Sequence, residues 1–329
     1  MATRAKGADA IVQQAERPLN SSSPAAQAGA RGRNDDDDVS SVDAGSEDEP
    51  GCTIKQLPER LQFKAAAVAA MINPVNEPAF GHTAVVSEGV LPTPLAIAVA
   101  TAKYWGATPR TLTVSFMENT PAELRRRIVA HLNAWTRTGG VRFAETNGVG
   151  QVRISRAGSG YWSYLGTDIL LIPRNRPTMN LQSFTMSTRE SEYKRVVRHE
   201  AGHTLAFPHE HMRRQLVARI DRAKAYDYFL RTSGWDRATV DQQVLMSLDD
   251  RTIMGTPVDQ DSIMCYQLPG SITVDGRPIR GGADINSTDY GFVGRIYPRA
   301  SAAASTEYET SAVDDWPESE DVDVDDVSY

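Results

Sequence analysis

The stretch RHEAGHTLAFPHEHMRR, residues 198–214, holds four of the six histidines in this chain of 329 residues. His199 and His203 are four positions apart, so on a helix they stand one turn apart on the same face, where two imidazole nitrogens can reach one metal ion. Glu200 lies beside them and is placed to accept a proton from a metal-bound water rather than to bind the same ion. A solvated helix face rich in histidine is the alternative that this spacing alone leaves open.

The residues after the helix make the pattern more specific. Proline at position 208 disfavours helical conformation at Phe207, so the chain must turn and can bring His209 back to the ion as a third ligand. Three histidines and one open position form the tetrahedral site typical of catalytic zinc, and the sequence therefore predicts one Zn2+ per chain. His211, two residues further on, is expected to point elsewhere.

The stretch HEAGHTLAFPHEHMR resembles the zinc signature HExxHxxGxxH of metzincin peptidases and, within them, that of the astacin family. In that family the third histidine is followed by glutamate and, three residues later, by arginine, and Glu210 and Arg213 stand at these positions. Downstream, SIMCY at residues 262–266 resembles the Met-turn of the family, in which a methionine underlies the zinc site and a tyrosine two residues later reaches the metal. The resemblance covers roughly residues 100–300.

The resemblance implies a role for each of these residues. The implied zinc ligands are His199, His203, His209 and Tyr266, and the implied catalytic residues are Glu200, as the general base, and Tyr266. Tyr266 is then a ligand at rest that swings away to hydrogen-bond the oxyanion. Glu210 is implied as a partner for a buried mature N-terminus or for a nearby base.

The resemblance also implies an α+β fold with a two-lobed catalytic domain. A small mixed twisted sheet and two long helices form its N-terminal lobe, its C-terminal lobe is irregular, and the substrate cleft lies between them. Short β-rich runs predict strands at 111–116, 141–145, 151–155, 168–172 and, as a possible edge strand, 181–184. Capping-box patterns predict helices that begin near Thr120–Glu123 and Ser187–Glu190, the second running to about Ala206. Further helical patterns occupy 216–231 and 237–248, and His131, off the apolar stripe of the first helix, is expected to be solvated.

The sequence departs from the family in three features. Ala206 stands where the family has glycine, at a helix exit that normally uses positive φ. The two disulfides usual in secreted astacins cannot form, because Cys52 and Cys265 are the only cysteines. No FxGD-like prosegment motif is visible upstream. Cys52 can cap the zinc instead, but nothing around PGCTIK marks it as a ligand, and a free surface thiol is the preferred interpretation.

Composition and charge divide the chain into four regions. Residues 34–49 carry eight acids and residues 307–329 carry ten, with no base in either segment, which is typical of solvated disordered tails. We therefore predict a disordered acidic tail at 1–49, an extension or prosegment-like region at 50–99, the zinc peptidase domain at 100–300 and a second acidic tail at 301–329. Outside the two acidic segments, the rest of the formal net charge of -7 amounts to +11.

The expected function is that of a zinc-dependent endopeptidase acting on a protein or peptide substrate. The alternative is a catalytically impaired zinc-bearing protein that binds peptides or proteins. The scattered basic residues carry no signature of nucleic-acid binding, and the apolar runs at 65–72 and 94–100 are too short to span a bilayer. No signal peptide is evident at the start, so a cytoplasmic or non-classically exported protein is expected.

Overall fold

A six-stranded mixed sheet supports the helix that carries His199 and His203, Arg198–Thr204, which is called the site helix below. The sheet also forms one wall of the cleft. The structure, a computed structural model, describes residues 52–77, 102–248 and 257–300. The predicted acidic tails lie outside the described residues. The strands are β1 (Cys52–Lys55), β2 (Arg110–Phe116), β3 (Val141–Glu145), β4 (Val152–Ser155), β5 (Tyr161–Tyr164) and β6 (Met179–Leu181).

The strands lie in the order β1-β5-β6-β4-β2-β3. Neighbouring strands are parallel except for β5 and β6, which are antiparallel. β1 forms one edge of the sheet, paired with β5 from Cys52 opposite Tyr161 to Lys55 opposite Tyr164. The region predicted as an extension, 50–99, therefore supplies a strand to the sheet of the predicted peptidase domain.

The described residues form eight α-helical segments. The α-helical segments are α1 (Gln62–Ile72), α2 (Ala122–Leu132), α3 (Glu190–Glu192), α4 (Arg198–Thr204), α5 (Arg214–Val217), α6 (Arg222–Ser233), α7 (Arg237–Val240) and α8 (Ser287–Ile296). A π-helical turn, Tyr193–Val197, joins α3 to α4 into one continuous helix, and a second, Asp241–Leu245, extends α7. None of the helices in the described part of the chain is long and apolar enough to cross a membrane.

The two larger of three apolar clusters in the described residues identify the two lobes. The first contains α2, the sheet and the site helix, with Trp105, Trp135 and Phe143 among its fully buried side chains. The second contains α6, the π-helical turn Asp241–Leu245 and the chain around Ile272, with Phe229 and Val244 among its buried side chains. Sheet and helices on one side and short irregular elements on the other confirm the α+β class.

Three of the predicted elements are wrong. Residues 168–172 form no strand: the first four lie in a 3-10 helix, Gly166–Leu171, and Ile172 is its C-cap. The buried Asp168 carboxylate pairs with Lys103 Nζ at 3.1 Å, and this tertiary contact overrides the β propensity of the apolar run. The run at 181–184 overlaps β6 only at Leu181, and β6 lies inside the sheet. The pattern at 216–231 is divided into α5 and α6, because Asp221 caps a new helix by accepting from Lys224 N.

Neither predicted capping box forms. The Thr120 hydroxyl donates to Glu118 O, and the Ser187 hydroxyl lies 2.8 Å from the Thr185 hydroxyl, so both capping candidates hydrogen-bond within turns ahead of their helices. A capping box does form between Asn286 and Asp289 at the start of α8. The Asp289 carboxylate also accepts from the Ser262 hydroxyl and from Ile263 N, which fixes the 262–266 turn to α8.

The 262–266 turn lies directly beneath the site helix. Met264 packs against Gly202 so closely that a Cβ on Gly202 would approach Met264 Sδ more nearly than any real Cβ contact allows. The same Cβ would lie 3.2 Å from Trp135 Cζ2. Position 202 therefore requires a glycine, because Met264 fills the space that a Cβ would need.

The site helix ends in a left-handed residue. Ala206 has φ of 70°. Ala206 N donates to His203 O at 2.8 Å and Phe207 N donates to Gly202 O at 2.9 Å, the hydrogen-bond pattern of a Schellman C-cap. The chain therefore leaves the helix before Phe207-Pro208, one turn earlier than the proline alone would require.

Replacing Ala206 by glycine should stabilise the protein. An alanine at positive φ costs about 1 to 2 kcal/mol, and the extra unfolded-state freedom of glycine offsets about 0.4 to 1 kcal/mol of the relief. We expect a net gain of about 0.5 to 1 kcal/mol in the free energy of unfolding, measured by urea denaturation. Ala130→Gly, at an exposed position inside α2, is the matched control and should cost about 1 kcal/mol. A loss in Ala206→Gly as large as the control's would contradict strain at this position.

Replacing Gly202 by alanine should destabilise the protein by about 1 to 3 kcal/mol, because the new methyl group overpacks the contact with Met264. Gly291→Ala is the control, since a methyl group there meets no other described atom within 4 Å and gains helix propensity. Thermal unfolding of these two variants, of Met264→Ala alone and of Gly202→Ala combined with Met264→Ala measures the coupling. The double variant should lose less than the sum of the two single changes, whereas additive losses would show that the contact is not limiting.

Candidate metal and active site

Three imidazoles converge at the end of α4. His199 Nε2 lies 3.2 Å from His209 Nε2, and His203 Nε2 lies 3.1 Å from the same atom. His199 and His203 come from successive turns of α4, and His209 comes from the chain that returns after Ala206. The structure thus brings together the three histidines that the sequence nominated.

Backbone carbonyls orient two of these rings. His199 Nδ1 donates to Ile263 O at 2.6 Å, and His203 Nδ1 donates to Phe207 O at 2.7 Å. With the proton on Nδ1, each Nε2 carries a lone pair that points at the other rings. Ile263 lies in the 262–266 turn, so this turn fixes a ring as well as packing under the helix.

The cluster fits a metal ion better than it fits hydrogen bonding among the rings. Lone pairs from neutral imidazoles repel each other at these distances unless a cation lies between them. Burial lowers the pKa of His199 to about 4, and burial together with the neighbouring rings holds the pKa of His203 and of His209 well below the usual value. The rings are therefore in the neutral form that a metal requires.

Glu200 is buried beside the cluster. Among the described residues, neither carboxylate oxygen has a hydrogen-bond partner within normal geometry. Burial raises the pKa of the Glu200 carboxyl to about 8, although the nearby Cys52 thiol opposes the shift. A carboxylate whose oxygens are not committed to a fixed hydrogen bond can exchange a proton with a water or a substrate group at the ion.

Cys52, at the start of β1, completes the cluster. Its Sγ lies 3.4 Å from His203 Nε2, and the four ligand atoms of Cys52, His199, His203 and His209 all lie within 4.8 Å of one another. Neither cysteine forms a disulfide. The interpretation of Cys52 as a surface thiol is wrong, because the pairing of β1 with β5 carries it into the cleft.

Tyr266 lies against the cluster with its ring 4.8 Å from that of His209, centroid to centroid. Its hydroxyl donates to Cys52 O. The hydroxyl is thus positioned to donate to a carbonyl of a chain in the cleft, while its predicted role as a zinc ligand stays a prediction.

The two remaining histidines of interest are both buried. His211 Nε2 donates to Gln243 O at 3.1 Å, and although its ring centroid lies 5.3 Å from that of His209, His211 is outside the group of possible metal ligands. His131 is not solvated: it is 7% exposed and lies 3.3 Å from Arg198 Nε and 3.4 Å from Glu190 Oε1. It is buried because the site helix packs over α2 at this point.

Glu210 accepts a hydrogen bond from Asp259 N at 3.1 Å. Burial raises the pKa of its carboxyl to about 7, although Arg213 opposes the shift. Its implied partnership with a mature N-terminus stays a prediction.

Sequence reasoning missed the groups that orient the site and fill the cleft. The carbonyls of Phe207 and Ile263 carry no side-chain signal. Gln243 gives none either, yet its side chain contacts Ile54 of β1 from the second lobe. Only the three-dimensional pairing of distant segments reveals these contacts.

Comparison with known proteins agrees with this geometry. The family model described as Astacin, a peptidase family, matches residues 98–273. The zinc metalloproteinase nas-27 of Caenorhabditis elegans is 31% identical over 99 residues, which are 30% of this chain and 21% of that protein, so the chain spans about a fifth of the length of this curated relative.

Solved structures are similar over a longer span. One structure of myroilysin is 28% identical, with a TM-score of 0.57, over 60% of this chain and 97% of that chain. A crystal structure of myroilysin is 28% identical, with a TM-score of 0.47, over 60% of this chain and 86% of that chain. With the three histidines, the adjacent glutamate and the turn beneath them in place, this chain belongs to the astacin family of zinc metallopeptidases.

Proposed function

We propose that this chain is a zinc-dependent endopeptidase that hydrolyses bonds within protein or peptide chains. The observation that carries the proposal is the convergence of three buried, neutral imidazoles beside a buried carboxylate whose oxygens accept no fixed hydrogen bond from the described residues. His199, His203 and His209 would hold the zinc, and the cleft between the lobes admits an extended chain, since β1 occupies it in this structure.

Zinc held by the three histidines supplies a Lewis acid for the scissile carbonyl and the attacking water. Glu200 accepts the proton of the attacking water and returns it to the leaving amine, so that no covalent intermediate with the protein forms. Tyr266 donates its hydroxyl proton in a hydrogen bond to the carbonyl oxygen as negative charge develops there. The hydrogen bond from Tyr266 to Cys52 O supports this role, because the hydroxyl is aimed at a carbonyl beside the cluster.

Cys52 adds a condition to this activity. With zinc bound, the Cys52 thiol would stand among the groups that hold it while the backbone of β1 lies along the cleft, so both the attacking water and the substrate would be excluded. The protein with β1 in place is therefore a latent form, and peptide hydrolysis requires β1 to leave the cleft.

Zinc dependence is tested on Cys52→Ser, which should carry about one zinc per chain and digest casein faster than the unsubstituted chain. A chelator should abolish the digestion and added zinc should restore it. In the same background, Glu200→Gln should keep the zinc, measured by mass spectrometry, and lose about 10²- to 10⁴-fold in rate, since it removes the base but no ligand. Zinc and casein binding without any digestion in Cys52→Ser would favour the impaired binding protein instead.

Tyr266 itself helps to hold β1, so Tyr266→Phe is made in a Cys52→Ser background that also carries Ile54→Pro, which removes the Ile54 N–H bonded to Gln243 and releases β1. There it should lower kcat by about 10²- to 10³-fold and leave KM nearly unchanged, because the lost hydrogen bond forms in the transition state. Steady-state kinetics on casein measures both constants. A rise confined to KM would assign Tyr266 to substrate binding and not to the oxyanion.

A further inference from the structure

β1 is held from both sides of the cleft. On one side it pairs with β5 of the first lobe, and on the other it contacts Tyr266 and Gln243 of the second lobe. In an extended chain the backbone groups of alternate residues face the same side. The backbone groups of Cys52 and Ile54 face the second lobe, and those of Thr53 and Lys55 face β5.

Gln243 binds both backbone groups of one residue. Ile54 N donates to Gln243 Oε1 at 3.0 Å, and Gln243 Nε2 donates to Ile54 O at 3.1 Å. These two bonds repeat the exchange between paired strands, with a side-chain amide in place of the second strand. They involve no atom of the isoleucine side chain.

The second lobe fixes Gln243 in this position. Gln243 lies in the π-helical turn Asp241–Leu245 and is only 5% exposed. Its backbone carbonyl accepts from His211 Nε2, two residues beyond the third histidine of the cluster. The backbone of Gln243 is thus tied by one hydrogen bond to the chain segment that carries His209.

A contact made only with backbone groups is independent of the sequence bound. Any extended peptide presents an N–H and a C=O from one residue on the same side, whichever way it runs. A primary amide has both a donor and an acceptor, and rotation about its last torsion exchanges them. The grip on Ile54 is therefore available to another extended chain at the same depth in the cleft.

We propose that Gln243 is a substrate-positioning residue, which clamps the backbone of an extended substrate beside the zinc site and holds β1 by the same two bonds in the latent form. The inference rests on the proposed function. The π-helical turn Asp241–Leu245 of the second lobe is then the wall of the cleft opposite β5.

The test uses the full chain with two substitutions that release β1. Cys52→Ser removes the thiol from the cluster, and Ile54→Pro removes the backbone N–H that donates to Gln243 Oε1. Release of β1 is checked separately in Ile54→Pro with Cys52 retained, whose thiol should react faster with Ellman's reagent than that of the unsubstituted chain. Gln243→Met is then added, because methionine keeps the length of the side chain and removes both hydrogen bonds. Gln242→Met, at the exposed neighbouring glutamine, is the matched control.

In the released background, Gln243→Met should raise KM for casein about tenfold with little change in kcat, as expected for two neutral hydrogen bonds made equally in the bound and transition states. The affinity of the zinc-free chains for dye-labelled casein, measured by fluorescence anisotropy, should fall by the same factor. Gln242→Met should change neither quantity. Gln243→Glu, which keeps the acceptor and loses the donor, should also weaken binding.

Equal KM and equal casein affinity in Gln243→Met and Gln242→Met would overturn the proposal and restrict Gln243 to holding β1. A lower kcat with unchanged KM would also overturn it. The binding measurement needs no turnover. If casein affinity depends on Gln243 while no variant digests casein, the clamp stands and the proposed peptidase activity fails.

Discussion

The site depends on where the helix that carries its first two histidines stops. His209 can reach the others only if the chain reverses within a few residues of His203, and the left-handed residue at 206 makes that reversal. The reversal also exposes the Phe207 carbonyl to the His203 ring and thereby fixes its tautomer. One backbone conformation thus sets both the position of the third imidazole and the orientation of the second. Ala206 is buried in the core of the first lobe, and the contacts around it hold the strain of an alanine there.

The second requirement is a close approach between the site helix and the turn beneath it. The Ile263 carbonyl orients His199, and Met264 fills the space that the missing side chain of Gly202 leaves. Asp289 ties the same turn to the last helix through the Ser262 hydroxyl and the Ile263 amide. The metal-binding face is therefore built on buried and hydrogen-bonded backbone, which orients the His199 and His203 rings. Such pre-organisation is what a catalytic metal site needs.

The cleft combines recognition and restraint. A strand at the edge of a sheet pairs with any extended chain that reaches it, and here the protein's own β1 takes that place on β5. The Cys52 thiol reaches the histidines while its carbonyl accepts from Tyr266. The segment thereby uses backbone contacts of the kind that an extended substrate offers, and the thiol adds a contact that an ordinary substrate lacks. In the proposed mechanism, latency and substrate binding are competing uses of one set of hydrogen-bonding groups.

The sequence by itself determined the chemistry of the site. His199 and His203 stand one turn apart on a helix, and Pro208 stops that helix before His209. This pattern predicted that the three imidazoles converge, because helical periodicity and the breaking of helices by proline are local properties. Local patterns failed where tertiary contacts decide: the Lys103–Asp168 pair drew an apolar run into a 3-10 helix. Only the tertiary structure brought Cys52 to the histidines and Gln243 to Ile54, pairs of groups separated by 151 and 189 positions along the chain. Contacts of that kind arise from the packing of one lobe and one strand against another, which leaves no periodic trace in the residues that make them.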